Sequence, residues 1–159
     1  MKKFSPLLAL ALSLSLFAPS LALAVDNITL KEAQAMIAAA EKKAAEIKLP
    51  MNIAVVDSGG NLVAFGRMDS SILVSIGISI DKAWTANALK LPTNILAGVS
   101  QPGQSLYGIN GTNNGRVVVF GGGFPIKVKD QVVGGIGVSG GSVEQDMEVA
   151  QAGLAALKR

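Results

Sequence analysis

The sequence predicts one α/β domain of the α+β kind, a five-stranded, largely antiparallel sheet with helices on its faces, carried behind an export leader. Three observations predict it. Two capping boxes, Thr29-Leu30-Lys31-Glu32 and Ser142-Val143-Glu144-Gln145, open helical patterns in the first and last parts of the domain. Five short runs rich in β-branched residues lie between them, with several connections of hairpin length. The order helix, two strands, helices, three strands, helix suits a sheet covered by helices.

Residues 1–24 have the three parts of a secretory signal peptide: cationic Lys2 and Lys3, an apolar run from Leu7 to Phe17, and small Ala22 and Ala24 before Val25. Cleavage is expected at Ala24/Val25. A membrane span needs about 20 apolar residues, and this run is shorter, broken by serines and followed by Pro19. The expectation is therefore a leader over 1–24, a single domain over 25–159, and a periplasmic or secreted protein with no membrane anchor after cleavage. Loss of Lys2 and Lys3 takes the net charge from +3 to +1. A nearly neutral chain with one Trp and one Tyr lacks the clustered basic and aromatic residues of a nucleic-acid binder. There is no Cys, so no disulfide framework, and no His, which excludes His-based triads and His metal sites.

From Thr29 the pattern predicts a helix over Leu30 to about Ile47, Ala-rich and with Leu30, Ala33, Ile37, Ala40, Ala44 and Ile47 at helical spacing, stopped by Pro50. Met51–Val56 and Leu62–Arg67 flank the turn residues Asp57-Ser58-Gly59-Gly60-Asn61 as a β-hairpin. Ser70 and Ser71 are the expected caps of a second helix, with Ile72, Ile76, Ile80 and Trp84 at i, i+4 spacing to about Leu89. After Pro92, Thr93-Asn94 cap a short helix to Ala97. The Gly-, Asn- and Ser-rich stretch from Val99 to Gly115 reads as a long loop with a helical turn. Val117–Phe120, Pro125–Lys129 and Val132–Val138 read as strands, with a turn at Asp130-Gln131. The second capping box opens a last helix to about Leu157.

Several motifs carry chemistry on paper. Gly135-Ile136-Gly137-Val138-Ser139-Gly140 spells G-x-G-x-x-G, but no second parallel strand with an acidic residue follows, so a dinucleotide site is not expected. Ser139 to Ser142 at a helix N-terminus would favour an anion, or serve simply as a cap with close-packing glycines. Ser79-Ile80-Asp81-Lys82 spells S-x-x-K without its companion motifs. Ser71, Ser75, Ser79 and Lys82 share a helical face that either packs closely or lines a pocket with Lys82 as its cation. Arg67, between Asp57 and Asp69, can hold a substrate acid bidentately or pair with those carboxylates. No compact spacing of carboxylates supports a metal site.

Gly121-Gly122-Gly123-Phe124-Pro125-Ile126, Gly134-Gly135-Ile136-Gly137-Val138-Ser139-Gly140-Gly141 and Glu144-Gln145-Asp146 together resemble the signature of the GlcG/HbpS-like family. Arg67-Met68-Asp69 and Asp81-Lys82-Ala83 match its earlier motifs in order, and the resemblance spans roughly Ile28 to Leu157. That family includes haem-binding proteins and the C-terminal domain of PduO-type adenosyltransferases. The resemblance implies a profilin-like three-layer α/β/α sandwich, homo-oligomers such as tetramers or octamers, and a small-molecule or tetrapyrrole pocket at the glycine-rich segments.

The leading expectation is thus an exported homo-oligomer that binds haem or a related tetrapyrrole. Gly122, Gly123, Pro125, Ser139 and Gly140 would floor the pocket, and Arg67 or Lys82 would meet ligand carboxylates. Without His, an axial ligand would have to be Met68, Met51, Met147 or Tyr107, or none. Two other readings stay open: an enzyme acting on a small organic acid with Lys82 and either Asp69 or Asp57 as acid/base groups, and a structural oligomer with no ligand.

Overall fold

A computed structural model describes residues 27–159; the expected leader over 1–24 lies outside them. Helix α1 (Leu30–Glu46) starts as the capping box requires, the Glu32 N–H donating to Thr29 Oγ1 at 3.3 Å and the Thr29 N–H to Glu32 Oε2 at 2.8 Å. Ala33, Met36, Ile37, Ala40 and Ala44 form its buried stripe, while Leu30 lies outside it in solvent.

Strands β1 (Asn52–Asp57) and β2 (Leu62–Arg67) make the expected hairpin, with Asn52 opposite Arg67. The Asp57 carboxylate closes the turn by accepting the Asn61 N–H at 2.8 Å. Beyond it the reading of Ser70 and Ser71 as helix caps is corrected. Helix α2 (Ser75–Leu89) begins later, at Val74, with no side-chain cap. Ser71 instead donates its hydroxyl to Asn52 Oδ1 at 3.2 Å, and Asn52 Nδ2 donates to the Ile72 carbonyl at 3.1 Å. Asn52 is fully buried at the start of β1 and its amide needs partners, so the connection folds onto the strand.

The packing face of α2 is its small side. Ser75, Ser79, Ala83 and Ala86 are buried, whereas Ile76, Ile80 and Trp84 are only half-buried. Two glycines make this possible: a Cβ on Gly137 would collide with the Ser79 carbonyl oxygen, and one on Gly135 with that of Ala83. The helix backbone therefore lies against the sheet at a distance no other residue allows. This is the work of the G-x-G-x-x-G spelling here.

Pro92 precedes α3 (Thr93–Val99), which has no side-chain cap; the expected Thr93 cap is spent elsewhere, its hydroxyl accepting the Gly123 N–H at 2.9 Å. Two 3-10 turns, Ile109–Gly111 and Asn113–Gly115, punctuate the loop that follows. Val117–Phe120, expected as a strand, is irregular and lies outside the sheet. The Val118 N–H donates to Thr85 Oγ1 at 3.1 Å, and Thr85 donates to the Arg116 carbonyl at 3.3 Å, so this run is tied to α2.

The sheet accordingly has four strands in place of the expected five: β3 (Gly123–Val128) and β4 (Gln131–Ser139) complete it in the order β2-β1-β4-β3, every pair antiparallel. Their turn is Lys129-Asp130, one residue earlier than expected, with Lys129 at φ +54°. Helix α4 (Val143–Ala155) closes the chain behind its own capping box. Helices α1 and α4 cover one face over Ile53, Val55, Ile126, Ile136 and Val138, and α2 covers the other over Ala54 and Val56. The result is three layers, α/β/α. Among the described residues no helix is long and apolar enough to cross a membrane.

Candidate functional site

Strand register gathers most of the expected site residues at one end of the sheet. Asn52 faces Arg67 on one side and Ser139 on the other, and Gly123 pairs with Gly137. Arg67, Ser139, Gly140, Gly122 and Gly123 therefore share that end. Pro125 sits further along β3 opposite Gly135, on the edge strand, where a missing N–H is tolerated. Asp57 is at the opposite end of the sheet, opposite Gly134, with its carboxylate engaged by Asn61. The structure does not bring it to Lys82. Asp69 and Arg67 are both exposed, and neither makes an ion pair within the described residues.

Lys82 is the centre of the arrangement. Its side chain is fully buried, with Nζ donating to Asp146 Oδ2 at 2.7 Å and to the Val138 carbonyl at 2.9 Å. The Phe120 ring lies over Nζ, its centroid 4.8 Å away. Asp146 Oδ1 accepts the Gly141 N–H at 2.9 Å. Burial pushes the Lys82 ammonium below its usual range and the Asp146 carboxyl above its own, while the attraction between them opposes both shifts. Sequence reasoning placed Asp146 in a family motif without giving it Lys82 as a partner. The two are 64 residues apart, and no local pattern couples them.

Of the two readings of the N-terminus of α4, an anion site or a plain cap, the cap holds, its N–H groups being taken from within the chain. Asp146 takes the Gly141 N–H, Gln145 Oε1 takes the Ser142 N–H at 2.8 Å, and Ser142 Oγ takes the Gln145 N–H at 3.3 Å. Ser79, the nucleophile position of S-x-x-K, donates instead to the Ile76 carbonyl at 3.0 Å. Arg116 stacks on Trp84 with a separation of 4.6 Å and donates to Asp81 at 3.0 Å.

At the same end of the sheet as Arg67, where Asn52 bonds the Ile72 carbonyl, the connection into α2 exposes three branched aliphatic residues in a row, Ile72 at 55%, Leu73 at 75% and Val74 at 66%. Sequence reading counted Ile72 into the helix and missed this patch. Of the sulfur and phenol side chains, Met51 is buried, Met68 Sδ accepts the Met51 N–H at 3.4 Å, Met147 packs at Gly121, and Tyr107 is exposed.

The model of the family "Haem degrading protein HbpS-like" matches residues 28–155. An uncharacterized 15.0 kDa protein from the dhaT-dhaS intergenic region of Citrobacter freundii is 45% identical over 82% of this chain and 92% of its own length. The crystal structure of Klebsiella pneumoniae protein ORFY is similar with a TM-score of 0.80 and 50% identity, covering 81% of this chain and 89% of that one. The crystal structure of a PduOC:heme complex is similar with a TM-score of 0.80 and 39% identity, covering 82% of this chain and 95% of that one.

Proposed function

We propose, from the premise that this chain belongs to the HbpS-like family, that it binds haem or a related tetrapyrrole at the end of the sheet beside Arg67. The observation that carries this reading is the exposed run Ile72-Leu73-Val74 at the same end of the sheet as Arg67, since Asn52 pairs with Arg67 and bonds the Ile72 carbonyl, in a fold shared at 39% identity with a PduOC:heme complex. Haem is a flat apolar ring with two carboxylates. An apolar patch suits the ring, and the forked donors of Arg67 suit a propionate.

The residues present fit such a ligand on these terms. Ile72, Leu73 and Val74 would hold the macrocycle and Arg67 a propionate. No imidazole exists in the chain to ligate iron, and among the described candidates Tyr107 is the exposed one. Bound haem supplies a redox-active iron; the protein's part is binding, orientation and shielding. The patch is open surface in one chain, so the far side of the ring needs a second copy to exclude water. The reading therefore includes a homo-oligomer, and the family resemblance implies a tetramer or octamer. It also includes export to the periplasm or medium, supported by the Lys2-Lys3, Leu7–Phe17 and Ala22-x-Ala24 pattern.

Hemin titration of the purified protein tests the reading. A Soret band displaced from that of free hemin and saturating at stoichiometric protein is expected. A spectrum indistinguishable from free hemin at equal protein concentration rejects it. Export is checked by the intact mass of protein recovered from the periplasm, which should begin at Val25.

A further inference from the structure

We infer that Phe120 roofs a carboxylate-binding site on Lys82, opened when the ring swings aside on the untied stretch Val119-Phe120-Gly121. An ammonium carries three N–H donors. Lys82 gives one to Asp146 and one to the Val138 carbonyl. Among the described residues its third has no oxygen acceptor, and the Phe120 ring is what lies over it. An oxygen anion satisfies a buried ammonium better than the face of a ring does, because a charge-assisted hydrogen bond is the stronger contact.

The cover is thin and lightly held. Phe120 is 39% exposed, so a single ring separates a fully buried cation from water. The backbone is tied at Val118, to Thr85, and at Gly122, whose carbonyl accepts the Val138 N–H at 2.9 Å. Between these ties Val119, Phe120 and Gly121 make no backbone hydrogen bond within the described residues. Gly121, Gly122 and Gly123 then follow in a row. Gly122 sits at φ +113°, where L side chains are strained, and a Cβ there would stand 2.7 Å from Lys82 Nζ. The untied stretch thus permits the swing up to Gly121, and the missing Cβ of Gly122 leaves the ammonium uncrowded.

The ligand presents one carboxylate on a small or flat apolar body, which takes the place of the ring over Lys82 Nζ, one residue from Gly121, where Val143 and Met147 pack. Asp146 can share the ammonium with it because its other oxygen stays anchored on the Gly141 N–H. The inference goes beyond the haem reading, since the carboxylate can come from a haem propionate or from a free small acid.

Amine labelling with an acetylating ester at pH 8.5, read by peptide mass at Lys82 and at exposed Lys127, tests it in the full-length oligomer. Wild-type Lys82 should label more slowly than Lys127 by about tenfold or more, as a site that reacts only through local opening. Phe120→Ala should raise the Lys82 rate by about tenfold and leave Lys127 unchanged. Hemin, glycolate or acetate is then added. Slowing by hemin but not by its dimethyl ester assigns the site to a propionate; slowing by glycolate or acetate assigns it to a small acid. Either supports the site, the second even if hemin shows no Soret shift. Should Phe120→Ala lose its circular dichroism spectrum, Phe120→Leu replaces it and must also speed labelling. A Lys82 rate equal to wild type in the folded variant, or a fast rate that no carboxylate slows, overturns the inference.

Discussion

Lys82 on α2 and Asp146 on α4 meet at 2.7 Å, although the two helices lie on opposite faces of the sheet. They reach each other around the end of β4, where Lys82 also takes up the Val138 carbonyl. The pair therefore fastens the two outer layers to each other and to the strand between them, at the end of the sheet where the glycine-rich segments converge.

Breaking that pair from one side should be costly, because the remaining charge is left buried and unpaired. Lys82→Met or Asp146→Asn is expected to lose about 3–5 kcal/mol of stability, and Lys82→Met with Asp146→Leu to regain most of it. Urea unfolding midpoints at constant m-value measure both. A double variant no more stable than the worse single one would contradict the interpretation.

Gly137→Ala tests the close approach of α2. The added methyl meets the Ser79 carbonyl, which is helix backbone and cannot rotate away. A loss of about 1–3 kcal/mol or more is expected from overpacking. Gly77→Ala, where the new methyl meets open space, is the control and should be neutral or stabilising in thermal melts.

Acid should weaken the contact between Glu32 and Arg159. Arg159 and Thr29 hydrogen bonds hold the Glu32 carboxyl down at about 2 against its usual 4.5. A depressed folded pKa contributes stability that is present above the unfolded value and lost as pH falls through the folded one. The loss should therefore run from about pH 4.5 to pH 2, and be about 1 kcal/mol because the pair is solvent-accessible. Arg159→Ala should remove that part of the acid dependence in denaturation curves taken across this window.

Arg67→Ala and Leu73→Ser address the ligand surface without touching the core. Each should weaken hemin binding by about tenfold, the equivalent of one lost contact of about 1.4 kcal/mol. The melting temperature should stay within a degree or two of wild type. Unchanged hemin affinity in both variants would move the ligand away from this end of the sheet.

Local rules made much of the fold legible. Thr29 and Ser142 announced their helices because a capping box is a contact between residues three apart, and Leu62–Arg67 announced itself by its run between turn residues. What escaped was decided by distant partners. Ser71 was claimed by Asn52 across the fold, so the start of α2 moved. Val117–Val119 have the β-branched character of a strand, but the Thr85 hydroxyl on α2 takes the Val118 N–H, so the run is held against the helix and not in the sheet. Lys82 was visible as a cation on a small-residue face, whereas Asp146, 64 residues on, became its partner only once α4 was docked. The apolar patch at Ile72–Val74 was hidden by its own helical spacing.

Arg159 binds both Glu32 oxygens at 2.6 Å and the Asn27 carbonyl at 2.8 Å, so the last residue of the chain lies against the first described one. The path from Asn27 to Arg159 is in effect a loop closed by hydrogen bonds. A short linker could make that closure covalent, and the chain could then be reopened in the exposed stretch around Gly103 to Gly108 without cutting a strand or helix. Such a circular permutant would leave every strand and helix uncut, which makes the fold a candidate frame for inserting a second domain.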